Sequence, residues 1–142
     1  MMLTAQGADH TTGNLFNVET KGKTTEELTE ASMEVQTLCA AADSLGLCVF
    51  GRSVTNINLE LVVGALNGAL GTDLDTDWFA KLGVETLKLE KKFSAAAGYT
   101  EDDDELPDFF YTDALPPLDK TARHRSAEVN RFRDAWLSRQ VV

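Results

Sequence analysis

The chain has 142 residues, 43% of them hydrophobic and 25% charged, which is typical of one ordinary globular domain. No apolar run approaches the roughly 18 residues that a membrane helix requires, and residues 1–14 lack the basic and apolar regions of a secretory signal, so we expect a cytoplasmic protein with no membrane partner. The formal net charge of -10 repels polyanions and argues against nucleic acid as a partner.

The first element in chain order is an irregular segment, residues 1–23, which is polar and dotted with glycine. A capping box formed by Thr24 and Glu27 then predicts the start of a long helix. Apolar residues recur at helical spacing over residues 25–45, and Gly46 is suited to the left-handed position that ends a helix.

Three further helices are predicted from capping residues, apolar spacing and terminating glycines. They begin after Asn56 or Asn58, after Asp75 or Thr76, and at Ser126, and they end at Gly71, at Gly98 and near Arg139. On the third predicted helix, the apolar side is marked by Trp78, Phe79, Leu82, Leu89 and Phe93. Strand alternation is absent, so the expected fold class is all-α, with one multihelical domain over residues 1–142 and long irregular loops.

A long loop is expected over residues 99–125. It holds the acidic run Glu101–Glu105 and all three prolines. A loop of this length without secondary structure is unusual in a compact domain and suggests a segment that wraps over something. The acidic run has a weak capacity for a cation, but a solvated loop is the more ordinary interpretation.

Aspartates at alternate positions, Asp73, Asp75 and Asp77, invite comparison with a calcium-binding loop. The pattern then fails, because the sixth position is Trp78 where glycine is required and the twelfth is Val84 where glutamate is required. Helix capping explains Asp75 better.

The basic residues and histidines have ordinary interpretations when spacing alone is considered. The basic clusters, Lys88, Lys91 and Lys92 on one helix and Arg123 to Arg139 near the end, are expected to be solvated helix faces. His124 is expected at the surface. His10 is able to donate a hydrogen bond or shuttle a proton, but its spacing alone favours a polar surface residue.

The two cysteines, Cys39 and Cys48, limit the metal chemistry of the chain. They cannot supply four thiolates, and a disulfide is not expected without an export signal. Any iron–sulfur cluster would therefore need cysteines from elsewhere. Cys39 lies on the apolar side of the first predicted helix and is most simply a small buried hydrophobe.

The segment Asp43-Ser44-Leu45-Gly46-Leu47-Cys48 places a carboxylate and a thiol on either side of a helix stop. The helix dipole disfavours an anion in the last turn, so Asp43 needs a compensating donor, and a ligand is one candidate. A carboxylate can accept two parallel hydrogen bonds from an amidine-like edge such as that of a pterin. A thiol five residues later can supply a thiolate to iron.

Several short motifs follow one another along the chain. They are Gly7 to His10 (Gly-Ala-Asp-His), Asp43 to Cys48, Leu66 to Gly71 (Leu-Asn-x-Ala-x-Gly), Leu89 to Phe93, Gly98 to Pro107 and Leu115 to Pro117. In these motifs and in their order, the chain from Leu3 to Trp136 resembles the C-terminal portion of the tungsten-dependent aldehyde ferredoxin oxidoreductases. The family segment Asp-x-x-Gly-Leu-Cys matches Asp43 to Cys48 at every defined position.

This resemblance implies an enzyme that oxidises aldehydes to carboxylic acids at a tungsten (or molybdenum) bis-pterin centre and passes electrons through a [4Fe-4S] cluster to ferredoxin. It implies that Asp43 anchors a pterin, that Leu47 packs beside the cofactor and that Cys48 is the fourth cluster ligand. It also implies that His10 donates a hydrogen bond or proton near the metal, which reverses the interpretation from spacing alone.

Members of that family are several times longer, with an N-terminal β-rich domain, the other three cluster cysteines and a glutamate near the metal upstream. We therefore expect the chain to be a truncated product or one part of a split enzyme, inactive without its missing N-terminal part. The alternative is a cofactor-free helical binding or interaction module that retains the ancestral fold.

Overall fold

A computed structural model describes residues 3–5, 7 and 9–140. Its helices are α1 (Thr25–Ser44), α2 (Arg52–Thr55), α3 (Leu59–Leu70), α4 (Thr76–Ala96), α5 (Phe109–Thr112) and α6 (Ser126–Arg139), with short 3-10 turns at Val49–Gly51 and Glu101–Asp104. These described ranges contain no strand, only two isolated bridges. The predicted all-α fold class is confirmed.

The ends of the long helices follow from local chemistry. Thr24 and Glu27 form the predicted capping box of α1, with both reciprocal hydrogen bonds present. Gly46 and Gly71 adopt left-handed φ values of +69° and +67° just after α1 and α3. The Asp75 carboxylate accepts a 2.9 Å hydrogen bond from the Trp78 amide, which confirms that this aspartate caps α4.

Helix α1 lies at the centre of the molecule and contributes to two apolar clusters. The first joins α1 to α4 and α6 through Met33, Ala40, Val84, Leu87, Trp136 and Leu137. The second joins α1 to α3 and α4 through Ala41, Ala42, Val62, Val63 and Phe79. Because Ala40, Ala41 and Ala42 of α1 are buried in these clusters, the Asp43–Cys48 segment begins directly at the packed core.

The expected apolar side of α4 is only partly buried. Phe79 is fully buried and Trp78 and Leu82 are partly buried, whereas Leu89 and Phe93 are 67% and 74% exposed. The second half of α4 buries Val84 and Leu87 towards α1 and α6 instead. Leu89 and Phe93 therefore leave an apolar surface open on the other side of the helix.

The segment over residues 99–125 is more ordered than expected, because α5 and a 3-10 turn lie within it. The acidic run is not simply solvated. Glu105 accepts hydrogen bonds from Tyr111 and from the amide and hydroxyl of Ser126. Asp104 accepts from Asn130 at 3.0 Å and pairs with Arg133 at 3.4 Å. These contacts fasten the segment to the start of α6.

Most residues of the basic clusters are exposed, although some of them pair with acidic residues on other helices. Lys91 pairs with Asp134, and Arg139 pairs with Glu30. His124 is partly buried, and its Nδ1 lies 3.0 Å from the Thr25 hydroxyl. These partners lie on other elements, so spacing along one helix does not reveal them. Among the described residues, none of the helices has both the length and the apolar character to cross a membrane.

Candidate functional site

The turn after α1 sets the relative positions of Asp43 and Cys48. Asp43 lies in the last turn of the helix, and its carbonyl accepts from Gly46 N at 3.0 Å. Leu47 N donates to the Ala42 carbonyl at 2.9 Å. The left-handed Gly46 makes this reversal without steric strain. Asp43 and Cys48 therefore lie at the two ends of one hydrogen-bonded turn, and both residues are exposed.

The donor that Asp43 needs comes from Arg52, at the start of α2. Arg52 Nη2 lies 3.0 Å from Asp43 Oδ1 and 3.3 Å from Oδ2. The arginine side chain is 15% exposed and the aspartate side chain 51% exposed. The guanidinium thus compensates the unfavourable helix end. Arg52 was not predicted from the sequence, where the available signal is a helix-end carboxylate followed nine residues later by an arginine.

Arg52 also reaches the segment that carries His10. Its Nη1 donates to the Thr11 carbonyl, which also lies 3.9 Å from Cys39 Sγ. The buried Asp9 carboxylate fixes this segment by accepting from the Thr11 amide at 2.7 Å and the Thr12 hydroxyl at 2.6 Å. His10 itself is exposed. The structure therefore links the His10 segment to Asp43 through one arginine.

Leu47 and the two cysteines occupy different environments. Leu47 is partly buried and packs on the cluster shared by α1, α3 and α4. Cys48 is an exposed free thiol, whereas Cys39 is a buried free thiol, as predicted. Burial raises the pKa of the Cys39 thiol. Of the two sulfur atoms, only that of Cys48 is open to a ligand.

A groove of about 810 Å³ runs beside Asp43, between the N-terminal segment, α1 and α4. Its polar residues include Asp43 and Glu90, and its apolar wall includes Leu87, Leu89, Phe93 and Tyr99. Burial, followed by the nearby charge of Asp43, raises the pKa of the Glu90 carboxyl. The groove offers apolar room next to two carboxylates, which is the common composition of a small-molecule site.

Metal-ligating residues do not gather into a complete site in the part of the chain that the structure describes. No group of three or more His, Cys, Asp or Glu residues is placed to hold a metal ion there.

Comparison with known proteins finds one matching family model and a partial match to a longer enzyme. The family model described as aldehyde ferredoxin oxidoreductase, domains 2 and 3, matches residues 1–138. A tungsten-containing aldehyde ferredoxin oxidoreductase from Pyrococcus horikoshii is 33% identical over 82 residues. That match covers 57% of this chain and 13% of the Pyrococcus protein. No solved structure matches the chain significantly.

Proposed function

The chain belongs to the aldehyde ferredoxin oxidoreductase family, and we propose that it forms the helical part of an enzyme that oxidises aldehydes to carboxylic acids. The observation that carries the proposal is the glycine turn that holds Asp43 and Cys48, because it presents a carboxylate and a thiol together from one packed helix end. In the proposed enzyme, ferredoxin receives the electrons.

The residues present fit part of the implied cofactor site. Both Asp43 oxygens already accept from one guanidinium nitrogen, Arg52 Nη2, which shows that the carboxylate is open to planar N–H donors such as those of the aminopyrimidinone edge of a pterin. The exposed Cys48 has the softness and access that iron requires. When bound, a tungsten or molybdenum bis-pterin supplies the two-electron oxidation and a [4Fe-4S] cluster carries the electrons away.

Each residue then has a defined task. Asp43 would hold one pterin by accepting its N–H donors, and Cys48 would provide one thiolate to the cluster. Leu47, which lies between them and is partly buried, would pack beside the cofactor. The exposed His10 imidazole holds or donates a proton at its ring nitrogen near the reacting aldehyde.

The remainder of the site must come from protein outside these 142 residues. A cubane cluster takes four cysteine ligands, whereas the chain has two cysteines and Cys39 is buried in the helical core. The Pyrococcus match covers only 13% of that longer protein. We therefore propose that the chain alone is inactive and acts with the missing N-terminal part of the enzyme.

The test is to produce the chain together with a protein that carries the family's upstream three-cysteine segment. Tungsten, molybdenum and iron contents, the electron paramagnetic resonance of the reduced cluster, and aldehyde oxidation are then measured. Cys48→Ser should perturb the cluster signal and Asp43→Ala should lower pterin retention, while Cys39→Ser should leave both unchanged. Full cofactor content in both site variants would show that the residue assignments are wrong.

A second candidate is a helical interaction module that binds no cofactor. The specific observation in its favour is that Arg52 already satisfies Asp43 without any ligand. Under this alternative, the reconstituted complex would stay colourless and free of iron. Metal content separates the two functions better than stability does, because Asp43→Ala would remove the ion pair with Arg52 from the chain without cofactor under either function.

A further inference from the structure

Arg52 holds Asp43 in a way that conflicts with pterin binding. Nη2 of the arginine lies between the two carboxylate oxygens, 3.0 Å from Oδ1 and 3.3 Å from Oδ2. A donor placed so evenly occupies the inner side of the carboxylate. A pterin that approached with two parallel N–H donors would need the same two oxygens from the same side.

The guanidinium of Arg52 also makes fewer hydrogen bonds than it could. Its Nε is buried and has no hydrogen-bond acceptor among the described residues. A buried donor without an acceptor destabilises the arrangement that leaves it unpaired. Arg52 therefore loses less when it leaves Asp43 than a fully bonded arginine would. Asp43 is half-exposed, so an incoming ligand can reach it from solvent.

We propose that Arg52 is a displaceable stand-in for the pterin edge, a role that rests on the pterin contact of Asp43 proposed above. In the chain without cofactor, the guanidinium occupies the Asp43 oxygens and joins them to the Thr11 carbonyl. When the pterin binds, its amino and ring N–H groups donate to the Asp43 carboxylate in place of Arg52. Arg52 is thus a positioning residue that holds the Asp43 carboxylate until a pterin replaces it.

The experiment uses free pterin (2-amino-4-oxopteridine) and the full chain. Nuclear magnetic resonance follows the Nε–Hε signal of Arg52 in the wild-type protein, with Arg133, which pairs with Asp104, as an internal reference. Affinity is measured from the same titration in Arg52→Met, Arg131→Met and Asp43→Asn. The exposed Arg131 is the matched control, because its substitution removes the same charge away from the turn. Pteridine-2,4-dione, which has a carbonyl in place of the amino group, is the control ligand.

If the pterin displaces Arg52, it should shift the Arg52 signal and leave that of Arg133 unchanged. Arg52→Met should then bind pterin roughly three- to tenfold more tightly, because binding no longer breaks a partly exposed ion pair. Arg131→Met should match the wild type, and Asp43→Asn and the dione should show no such binding. Binding that depends on Asp43 but is unchanged or weaker in Arg52→Met would overturn the stand-in role while leaving the pterin contact intact. No binding that depends on Asp43 in any variant would overturn both. The shift of the Arg52 signal is measured in the wild-type chain, so it tests the proposal even if a variant folds poorly.

Discussion

Gly83 of α4 lies directly against the main chain of Thr37 in α1. A Cβ atom at Gly83 would lie 2.8 Å from the Thr37 carbonyl carbon and 2.9 Å from its Cγ2, and closer still to the carbonyl oxygen. Real Cβ atoms do not approach so closely, so only glycine permits this helix crossing. The close approach holds α1, and with it the Asp43 turn, against α4.

Gly83→Ala should therefore destabilise the fold. The added methyl group meets backbone rather than a flexible side chain, so overpacking should lower the free energy of unfolding by roughly 1–3 kcal/mol or more. Urea unfolding measures it. The control is Gly64→Ala on α3, where a Cβ meets nothing within 4 Å; this change should stabilise by roughly 0.5–1 kcal/mol. Equal stability of the Gly83 variant and the wild type would contradict the close crossing.

The sequence predicted the long helices well because their ends are set by local chemistry. The first helix was expected over residues 25–45 and is observed at Thr25–Ser44. A capping box and a left-handed glycine act within a few residues of the helix end, so they can be read from the chain. The short helices α2 and α5 carry no such local signal and were missed.

The candidate site was only partly predictable for the same reason. The relation of Asp43 to Cys48 depends on one turn and follows from the position of Gly46. The link from Asp43 to the His10 segment runs through Arg52, whose contact with Thr11 joins residues 41 positions apart. Only the packed structure brings such residues together, and it also decides that Leu89 and Phe93 face a groove rather than the core.

Glu105 should make the stability of the fold depend on pH in the acidic range. The hydrogen bond from Tyr111 and those from Ser126 lower the pKa of Glu105 to about 2, outweighing the opposite effect of burial. Because the folded-state pKa lies below the unfolded value, this stabilisation is complete above a pH of about 4.5 and is lost as the pH falls towards 2. Urea midpoints measured across that range should therefore decrease as the pH is lowered.

The variant Glu105→Gln should flatten that part of the pH profile and lower the midpoint at neutral pH. Glu85→Gln, at an exposed position on α4, removes the same charge and is the matched control. An unchanged acid profile in Glu105→Gln would mean that the carboxylate does not fasten the loop to α6.

Asp75 should contribute to stability as the cap of α4. Its carboxylate accepts the Trp78 amide, one of the donors that the first helical turn leaves unpaired. Asp75→Ala should lower the free energy of unfolding by roughly 0.5–2 kcal/mol in urea unfolding. The exposed Asp73, two residues earlier, provides the control, since Asp73→Ala should change stability much less. Equal effects of the two changes would argue against the capping role.

Cys48 should react with a thiol reagent much faster than Cys39. Cys48 is exposed at the end of the glycine turn, whereas Cys39 is 3% exposed and its thiol pKa is raised by burial, so less of it is thiolate at mildly alkaline pH. Disulfide exchange with a chromogenic reagent on the native chain should release one equivalent rapidly and the second only on unfolding. Cys48→Ser should abolish the rapid phase, and Cys39→Ser should retain it. A rapid phase that survived Cys48→Ser would mean that the accessible sulfur, and with it the proposed cluster ligand, lies elsewhere.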